Sequence, residues 1–337
     1  MEPRIQYAKT SDGVSIAFWT MGEGGTPLLM TAPALSPHIS LEIGIPKLRS
    51  WYEHLAQYRM VIRYDQRGCG MSDRNVEHFS LDLLVGDVEA VVEALGLETL
   101  NLVGFFGPGG AALRFAACHP ANVSKLALWQ TPAQPALYFK TPRGQALLSL
   151  LNQDWDLYTE TLAHQLLGWR PGRLAHEWAA FIRQSTTQEN EQKLMSAVAN
   201  SDIDLTMLAA VRAETLVITH PQSNDDLRKA RDLASGIANS RVAVLQGNAG
   251  APWDSESGTA ALDDFFGEGA GQRDLPSGTA IILFLDIADS TALTTKLGDA
   301  AYRERERELD AALRSAIRDA GGGKAAGRRR DGGVHVG

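Results

Sequence analysis

The segment Leu102-Val103-Gly104-Phe105-Phe106-Gly107-Pro108-Gly109-Gly110 has the build of an apolar strand that runs into a tight glycine turn and then a helix. That geometry lifts one side chain above the edge of a sheet, and where the side chain is a serine its hydroxyl attacks a carbonyl carbon. Here the lifted residue is Phe106, and a benzyl group has no lone pair to offer. A second arrangement lies far along the chain, in Ile281-Ile282-Leu283-Phe284-Leu285-Asp286-Ile287-Ala288-Asp289-Ser290-Thr291. A buried strand there delivers the Asp286 carboxylate to its end, and the Ser-Thr turn caps a helix whose N–H groups can face phosphates.

Positioning such groups takes a sheet, and the pattern supplies one. Two strands flank the turn Thr10-Ser11-Asp12-Gly13, the second running from Val14 to Trp19, and a glycine break at Gly22 to Gly25 precedes a buried strand, Pro27 to Met30. Strands follow at Tyr58 to Tyr64, Leu100 to Val103 and Val123 to Trp129, with helices at Leu83 to Leu95 and Ala111 to His119 between them. This alternation predicts a mostly parallel sheet covered by helices on both faces. Residues 135–210 are rich in Leu, Ala, Gln and Trp at helical spacing, which predicts a helical cap. The sheet resumes at Thr215 to Thr219 and Arg241 to Leu245, with a helix from Asp226 to Ile237 between them. A glycine-rich polar linker spans 267–278, and a new apolar strand begins after it.

A chain of 337 residues with 44% hydrophobic content is long enough for a sizeable core and a second domain. Its formal charge of −8 repels phosphate backbones and anionic lipid, so neither nucleic acid nor a membrane is an expected partner. No apolar run approaches the ~20 residues needed to span a bilayer. The first seven residues contain nothing like a secretion signal, and Cys69 and Cys118 are the only thiols, which predicts a reduced, cytoplasmic setting.

Several of these segments together resemble the α/β-hydrolase family over roughly residues 5–265: Ser11 to Ala17 as its opening hairpin, Tyr64-Asp65-Gln66-Arg67-Gly68-Cys69-Gly70-Met71-Ser72-Asp73 as its Asp-x-Arg-Gly-x-Gly-x-Ser-Asp loop, and the Phe106 turn as its nucleophile elbow. The resemblance implies a serine, an acid and a histidine in that order. Phe106 stands at the serine's place and Gly250 at the histidine's, in Leu245-Gln246-Gly247-Asn248-Ala249-Gly250-Ala251-Pro252-Trp253, and no histidine lies between His220 and His335. The acid's loop still carries carboxylates, with Asn224 or Asp225 at the acid's place. Gly107 can donate its N–H to an oxyanion, whereas the partnering loop Ala32-Pro33-Ala34-Leu35 has one donor fewer because of Pro33.

Around that corner, Ala34, His38, Phe105, Phe106, Gly107 and Trp129 are the candidate pocket residues. His38 matches a histidine in the cyclase-fused members of the family, and a hydrogen-bonded structural histidine is an equal reading. Trp155, Trp169 and Trp178 are candidates to line an aromatic pocket, with core filling the stronger expectation for any single one of them. Asp65 and Arg67 are expected to tie their loop together, and Cys69 to be structural.

The segment around Asp286 resembles the opening of a class III adenylate/guanylate cyclase domain, which implies Asp286 as first metal ligand and, 45 positions on (331 − 286), Asp331 near the place of the second. An intact domain of that family takes Mg2+ or Mn2+ and is ferredoxin-like; nothing here implies a cofactor for the chain as it stands. The strand that should carry Asp331 is replaced by a basic Gly/Arg-rich stretch. The resulting expectation is an α/β-hydrolase domain at 1–266, a linker at 267–278, a partial cyclase fragment at 279–320 and an unpacked basic tail at 321–337, the tail reading as a truncation or a frameshift. The function expected is a non-catalytic, ligand-sensing hydrolase-like domain of a cyclase fusion, with a small apolar ligand and a possible homodimer. The rival is an unorthodox esterase or lactonase acting on a small apolar ester and recruiting Ser72, His38 and Asp225.

Overall fold

The computed structural model describes residues 3–33, 36–167, 173–201, 203–220, 224–245, 252–267 and 279–281. The chain divides into two compact units, 1–279 and 280–337. Ala34, Trp169, Gly250, Asp286 and Asp331 lie outside the described residues, as do nearly all of the expected linker, fragment and tail.

In the first unit the strands and helices alternate as β1 (Gln6–Lys9), β2 (Ser15–Met21), β3 (Leu28–Met30), α1 (Ile39–Ile43), α2 (Pro46–Leu55), β4 (Val61–Tyr64), α3 (Leu81–Ala94), β5 (Leu100–Phe105), α4 (Gly109–Cys118) and β6 (Val123–Trp129). Six helices follow without a strand: α5 (Pro135–Lys140), α6 (Pro142–Gln153), α7 (Trp155–Leu167), α8 (Arg173–Ser185), α9 (Gln188–Ala199) and α10 (Leu205–Ala210). The sheet then resumes with β7 (Glu214–Thr219), α11 (Asn224–Ser235), β8 (Ser240–Leu245) and α12 (Glu256–Phe266).

These strands lie in the order β1-β2-β4-β3-β5-β6-β7-β8. Only the β1·β2 and β2·β4 pairings are antiparallel; from β4 to β8 every pairing is parallel. Parallel strands covered on both faces must be apolar on both, and β5 is buried at all six positions. One hydrophobic layer joins α3, α4, α11 and the six-helix segment to one face. The other packs α1, α2 and α12 on the opposite face through Trp19, Trp51, Phe105, Trp129 and Phe265. All carboxyl ends of the parallel strands therefore open at one edge, beneath the helices α5 to α10.

Element positions match the pattern, and the ends differ for local reasons. The strand expected from Tyr58 begins only at Val61; Tyr58 itself is 72% exposed. The strand expected to stop at Val103 continues through Phe105, because Gly104 and Phe105 stay in register with Leu128 and Trp129 and the Phe105 amide donates to Thr31 Oγ1 at 3.0 Å. Helix α3 starts at Leu81 rather than Leu83, with Ser80 Oγ accepting from the Leu83 amide as N-cap.

Candidate functional site

The turn between β5 and α4 is built by two glycines that let strand and helix cross. A Cβ on Gly104 would lie 2.9 Å from Gly109 Cα, and one on Gly109 would lie 2.2 Å from Thr131 Oγ1. Held between them, Phe106 adopts φ 50, a left-handed conformation that is a genuine outlier for an aromatic residue. Its amide donates to the Trp129 carbonyl at 2.9 Å, and its own carbonyl accepts from Gly109 at 3.2 Å. The strained apex is thus present, and it presents a hydrocarbon ring. Gly107 follows in the turn, and a Cβ there would come within 3.2 Å of Val198 on α9, so the cap lies directly over the elbow.

The Phe106 ring lines a small apolar cleft with Pro33, Leu166, Leu167, Trp178, Pro252 and Trp253. Trp178 and Trp253 pack against each other at a tilt of 35°, with centroids 5.1 Å apart. Among the described residues, Phe106 is the one expected pocket residue in this lining; His38, Phe105, Gly107 and Trp129 are not part of it. Phe105 and Trp129 are both fully buried in the layer beneath the sheet, 6.1 Å apart, with Trp51 on the other side of Phe105. Phe105 is the last residue of β5 and is enclosed in that layer, whereas Phe106 belongs to the turn beyond the strand end and packs, partly buried, against the same layer while lining the cleft. Trp155 stacks on Tyr158 within the helical layer.

His38 caps α1, its Nδ1 accepting from the Leu41 amide at 3.4 Å. Burial holds its pKa below the ordinary value, with Arg74 adding to the effect. Asp225 opens α11. His54, His119 and His176 sit on the carboxylates of Asp263, Glu89 and Glu160 rather than on hydroxyls.

The Asp65 to Asp73 loop is a structural lock. The Asp65 carboxylate accepts from the amides of Ile39 at 2.9 Å and Met71 at 2.8 Å. Burial pushes that carboxyl up to about 7, with nearby Glu42 adding to the rise and the two amides and Arg63 opposing it. Ser72 Oγ donates to the Asp65 carbonyl at 2.6 Å and accepts from the Ala17 amide at 2.8 Å, so this hydroxyl is fully engaged. Arg67 pairs with Asp87 and Asp12. Cys69 is buried, and burial together with Glu191 and Asp65 pushes its thiol far up, which keeps it protonated and unreactive.

Sequence reasoning missed three groups. Glu191 on α9 is buried and accepts from Ser36 Oγ at 3.0 Å and Tyr158 at 2.9 Å, tying the cap to the loop after β3. Burial pushes its carboxyl above the ordinary range. Glu42 and Arg63 form a buried pair at 2.8 Å, joined by Tyr52. His220, at the end of β7, packs its ring 5.7 Å from that of Trp129. Only the presence of a charged residue inside an apolar run, as with Arg63 in Val-Ile-Arg-Tyr, signalled any of these. Among the described residues, no group of three or more His, Cys, Asp or Glu side chains is placed to hold a metal ion, and no helix is long and apolar enough to cross a membrane.

Residues 41–208 match the family model described as alpha/beta hydrolase fold. The chain is 33% identical over 172 residues to the AB hydrolase superfamily protein YisY of Bacillus subtilis (strain 168), covering 47% of this chain and 61% of that protein. It is 29% identical over 133 residues to epoxide hydrolase 4 of Mus musculus, covering 37% of this chain and 34% of that protein, so it spans less than two thirds of either relative. Among solved structures, an esterase (EaEST) from Exiguobacterium antarcticum superposes with a TM-score of 0.64 at 22% identity, over 78% of this chain and 99% of that one. Sheet order, elbow geometry and these likenesses agree, and the first unit of the chain is an α/β-hydrolase-fold domain.

Proposed function

We propose that this domain binds a small apolar ligand without breaking a bond in it, as the sensing part of a protein whose later segment resembles a nucleotidyl cyclase. The observation that carries the reading is Phe106. It holds the strained apex conformation, and its ring closes a cleft otherwise lined by Pro33, Leu166, Leu167, Trp178, Pro252 and Trp253. A nucleophile needs a lone pair and a neighbouring base; the Phe106 ring has no lone pair, and the sequence has no histidine between His220 and His335 to act as the base, while a small apolar cleft remains beside the ring. Ser72, the hydroxyl an unorthodox mechanism would recruit, is spent on backbone groups.

The test is turnover of p-nitrophenyl butyrate together with labelling by a fluorophosphonate. The expected result is no turnover above buffer and no covalent adduct. A stoichiometric adduct on any serine overturns the proposal. It would favour the second reading, hydrolysis of a small apolar ester, which draws its support from relatives and structural neighbours that are named hydrolases and esterases.

A further inference from the structure

A carboxylate shut away from water calls for a cation, because burial penalises the charged form and neutral donors recover only part of the loss. Glu191 on α9 has no such partner. It is fully buried, and its two oxygens accept from Tyr158 of α7 at 2.9 Å and from Ser36 of the loop after β3 at 3.0 Å. Among the described residues no lysine, arginine or histidine pairs with it. Lys193, on the same helix, donates to the Val76 carbonyl and pairs with Glu189. Arg74 donates to the Gln184 carbonyl, and Arg183 donates to Thr159 and Glu160. The groups that face the acid are themselves acidic or neutral. Tyr158 has Tyr138 of α5 near it, and the loop after β4 brings the Cys69 thiol with the Asp65 carboxyl beyond. The neighbouring α6 meets α9 through the Leu151 carbonyl, which accepts from Gln188 and Gln192. His38, two residues past Ser36, has Arg74 and Glu42 as its charged neighbours instead.

The position of this acid in the fold is specific. Helix α9 is anchored to the core, since Asn190 Nδ2 donates to the carbonyls of Gly68 at 3.0 Å and Arg74 at 2.8 Å. From that fixed post Glu191 reaches the two sides of the cleft beside Phe106. Ser36 stands three residues after Pro33, and Tyr158 stands two helical turns before Leu166 and Leu167; Pro33, Leu166 and Leu167 all line the cleft. One carboxyl group therefore ties a core-side wall and a cap-side wall to the same helix. The cleft is small, so an occupant enters only if one wall gives way.

We infer that Glu191 is a proton-operated latch of this cleft, holding α7 and the Pro33 loop together while it carries its proton and releasing α7 when it loses it. A neutral carboxyl with two hydroxyls makes an uncharged, mutually satisfied set, because each hydroxyl can donate or accept. Once ionised, the same group is a buried charge facing two hydroxyls and no cation, and parting the walls lets water reach it. The direction of the proton equilibrium agrees. Burial raises the Glu191 carboxyl above its ordinary 4.5, with the two hydroxyls only partly opposing it, so the closed form binds the proton more tightly than the open one. Closure is therefore strongest below about pH 4.5 and weakens as pH rises through the raised value. The latch operates whether the occupant of the cleft is held or hydrolysed.

The experiment follows backbone hydrogen exchange of the full chain by mass spectrometry across the acid to neutral range, each rate divided by the intrinsic rate at that pH. In wild type the α7 peptide that ends in Leu166 and Leu167 should exchange faster as pH rises, by up to about tenfold per pH unit, the limit for one proton. Helix α3, on the far side of the elbow helix from the cleft, should not follow. Glu191→Gln keeps the volume and cannot ionise, so its α7 protection should stay constant over the same range. Asp65 is present in both chains, so its own titration cancels in the comparison. The same pH course in wild type and Glu191→Gln overturns the inference, as does α3 quickening in step with α7, which would mean that the whole domain loosens. Should Glu191→Gln fail to fold, Tyr158→Phe decides: it removes the α7 tie alone and should quicken α7 exchange at least about tenfold once the acid is ionised. Unchanged α7 exchange in that variant overturns the latch equally. A fluorophosphonate adduct on some serine would bear on the non-catalytic reading and leave this outcome untouched.

Discussion

Removing the charge of Glu42 should be among the most damaging single changes in the domain. Glu42 and Arg63 have side chains 1% and 0% exposed, and both guanidinium and carboxylate are saturated with bonds. Arg63 Nη2 donates to the two Glu42 oxygens at 2.8 and 2.9 Å, Nη1 donates to the carbonyls of Met30 at 3.0 Å and Tyr64 at 2.9 Å, and Tyr52 donates to Glu42 at 2.6 Å. Burial alone would depress the arginine's pKa, and the Glu42 carboxylate with Tyr52 more than offsets it, so the guanidinium stays charged. Glu42→Gln keeps the volume and strands a buried cation. Breaking such a pair costs about 3–5 kcal/mol, which for a domain of this size lowers Tm by roughly 6–20 °C. The double variant Glu42→Met/Arg63→Met buries no charge. It should cost less than Glu42→Gln alone, leaving chiefly the Met30 and Tyr64 carbonyls without donors. Urea unfolding followed by far-UV circular dichroism gives both values on one scale, provided m is unchanged between variants. A loss under about 1 kcal/mol for Glu42→Gln, or a double variant weaker than both singles, would refute the account of Arg63 as a desolvated cation held by Glu42.

Asp65 has its carboxyl raised to about 7 in the folded state against 3.8 ordinarily, so the folded protein binds the extra proton and stability falls as pH rises from about 4 to 7. Asp65→Asn cannot ionise, so the stability difference between wild type and variant, followed by denaturant melts across that window, should shrink as pH rises; a constant difference would contradict the assignment. Gly70 has φ +53, and a Cβ there would lie 2.0 Å from Asp65 Oδ2, whereas Gly13 at φ +89 has open space around it. Gly70→Ala should therefore cost clearly more than the ~1–2 kcal/mol of backbone strain expected for Gly13→Ala, and equal losses would show that the Asp65 contact yields freely. Gly109→Ala drives a methyl against Thr131 and Gly104 and should cost about 1–3 kcal/mol in the same melts while loosening the Phe106 turn, read as a change in tryptophan fluorescence from Trp178 and Trp253.

Much of the architecture is legible in the chain because it is local. Apolar runs of four to seven residues, glycine breaks and helical spacing between them announce β2 to β8 and the helices that follow. The elbow is legible for the same reason: Gly104, Gly107 and Gly109 sit within six residues, and the substitution of its apex by Phe106 needs no coordinates to be seen. Even Asp65 and Arg67 are readable as loop ties, since a turn that sharp must satisfy its own amides.

What the fold alone decided is everything that depends on partners distant in sequence and on which side a residue faces. Ser36 and Glu191 are 155 positions apart, and Trp51 and Thr259 are 208 apart; no period along the chain announces such pairs. Adjacent aromatics differ in burial, Phe105 fully enclosed as the last residue of β5 and Phe106 only partly, in the turn beyond the strand end where it lines the cleft. The unpaired nitrogens of Trp129, Gln130 and His220 likewise exist only in three dimensions. Local chemistry writes the elements and the empty apex into the sequence, while burial, which is a property of the assembled layers, determines where a carboxylate, an imidazole or an indole is left to find its partner.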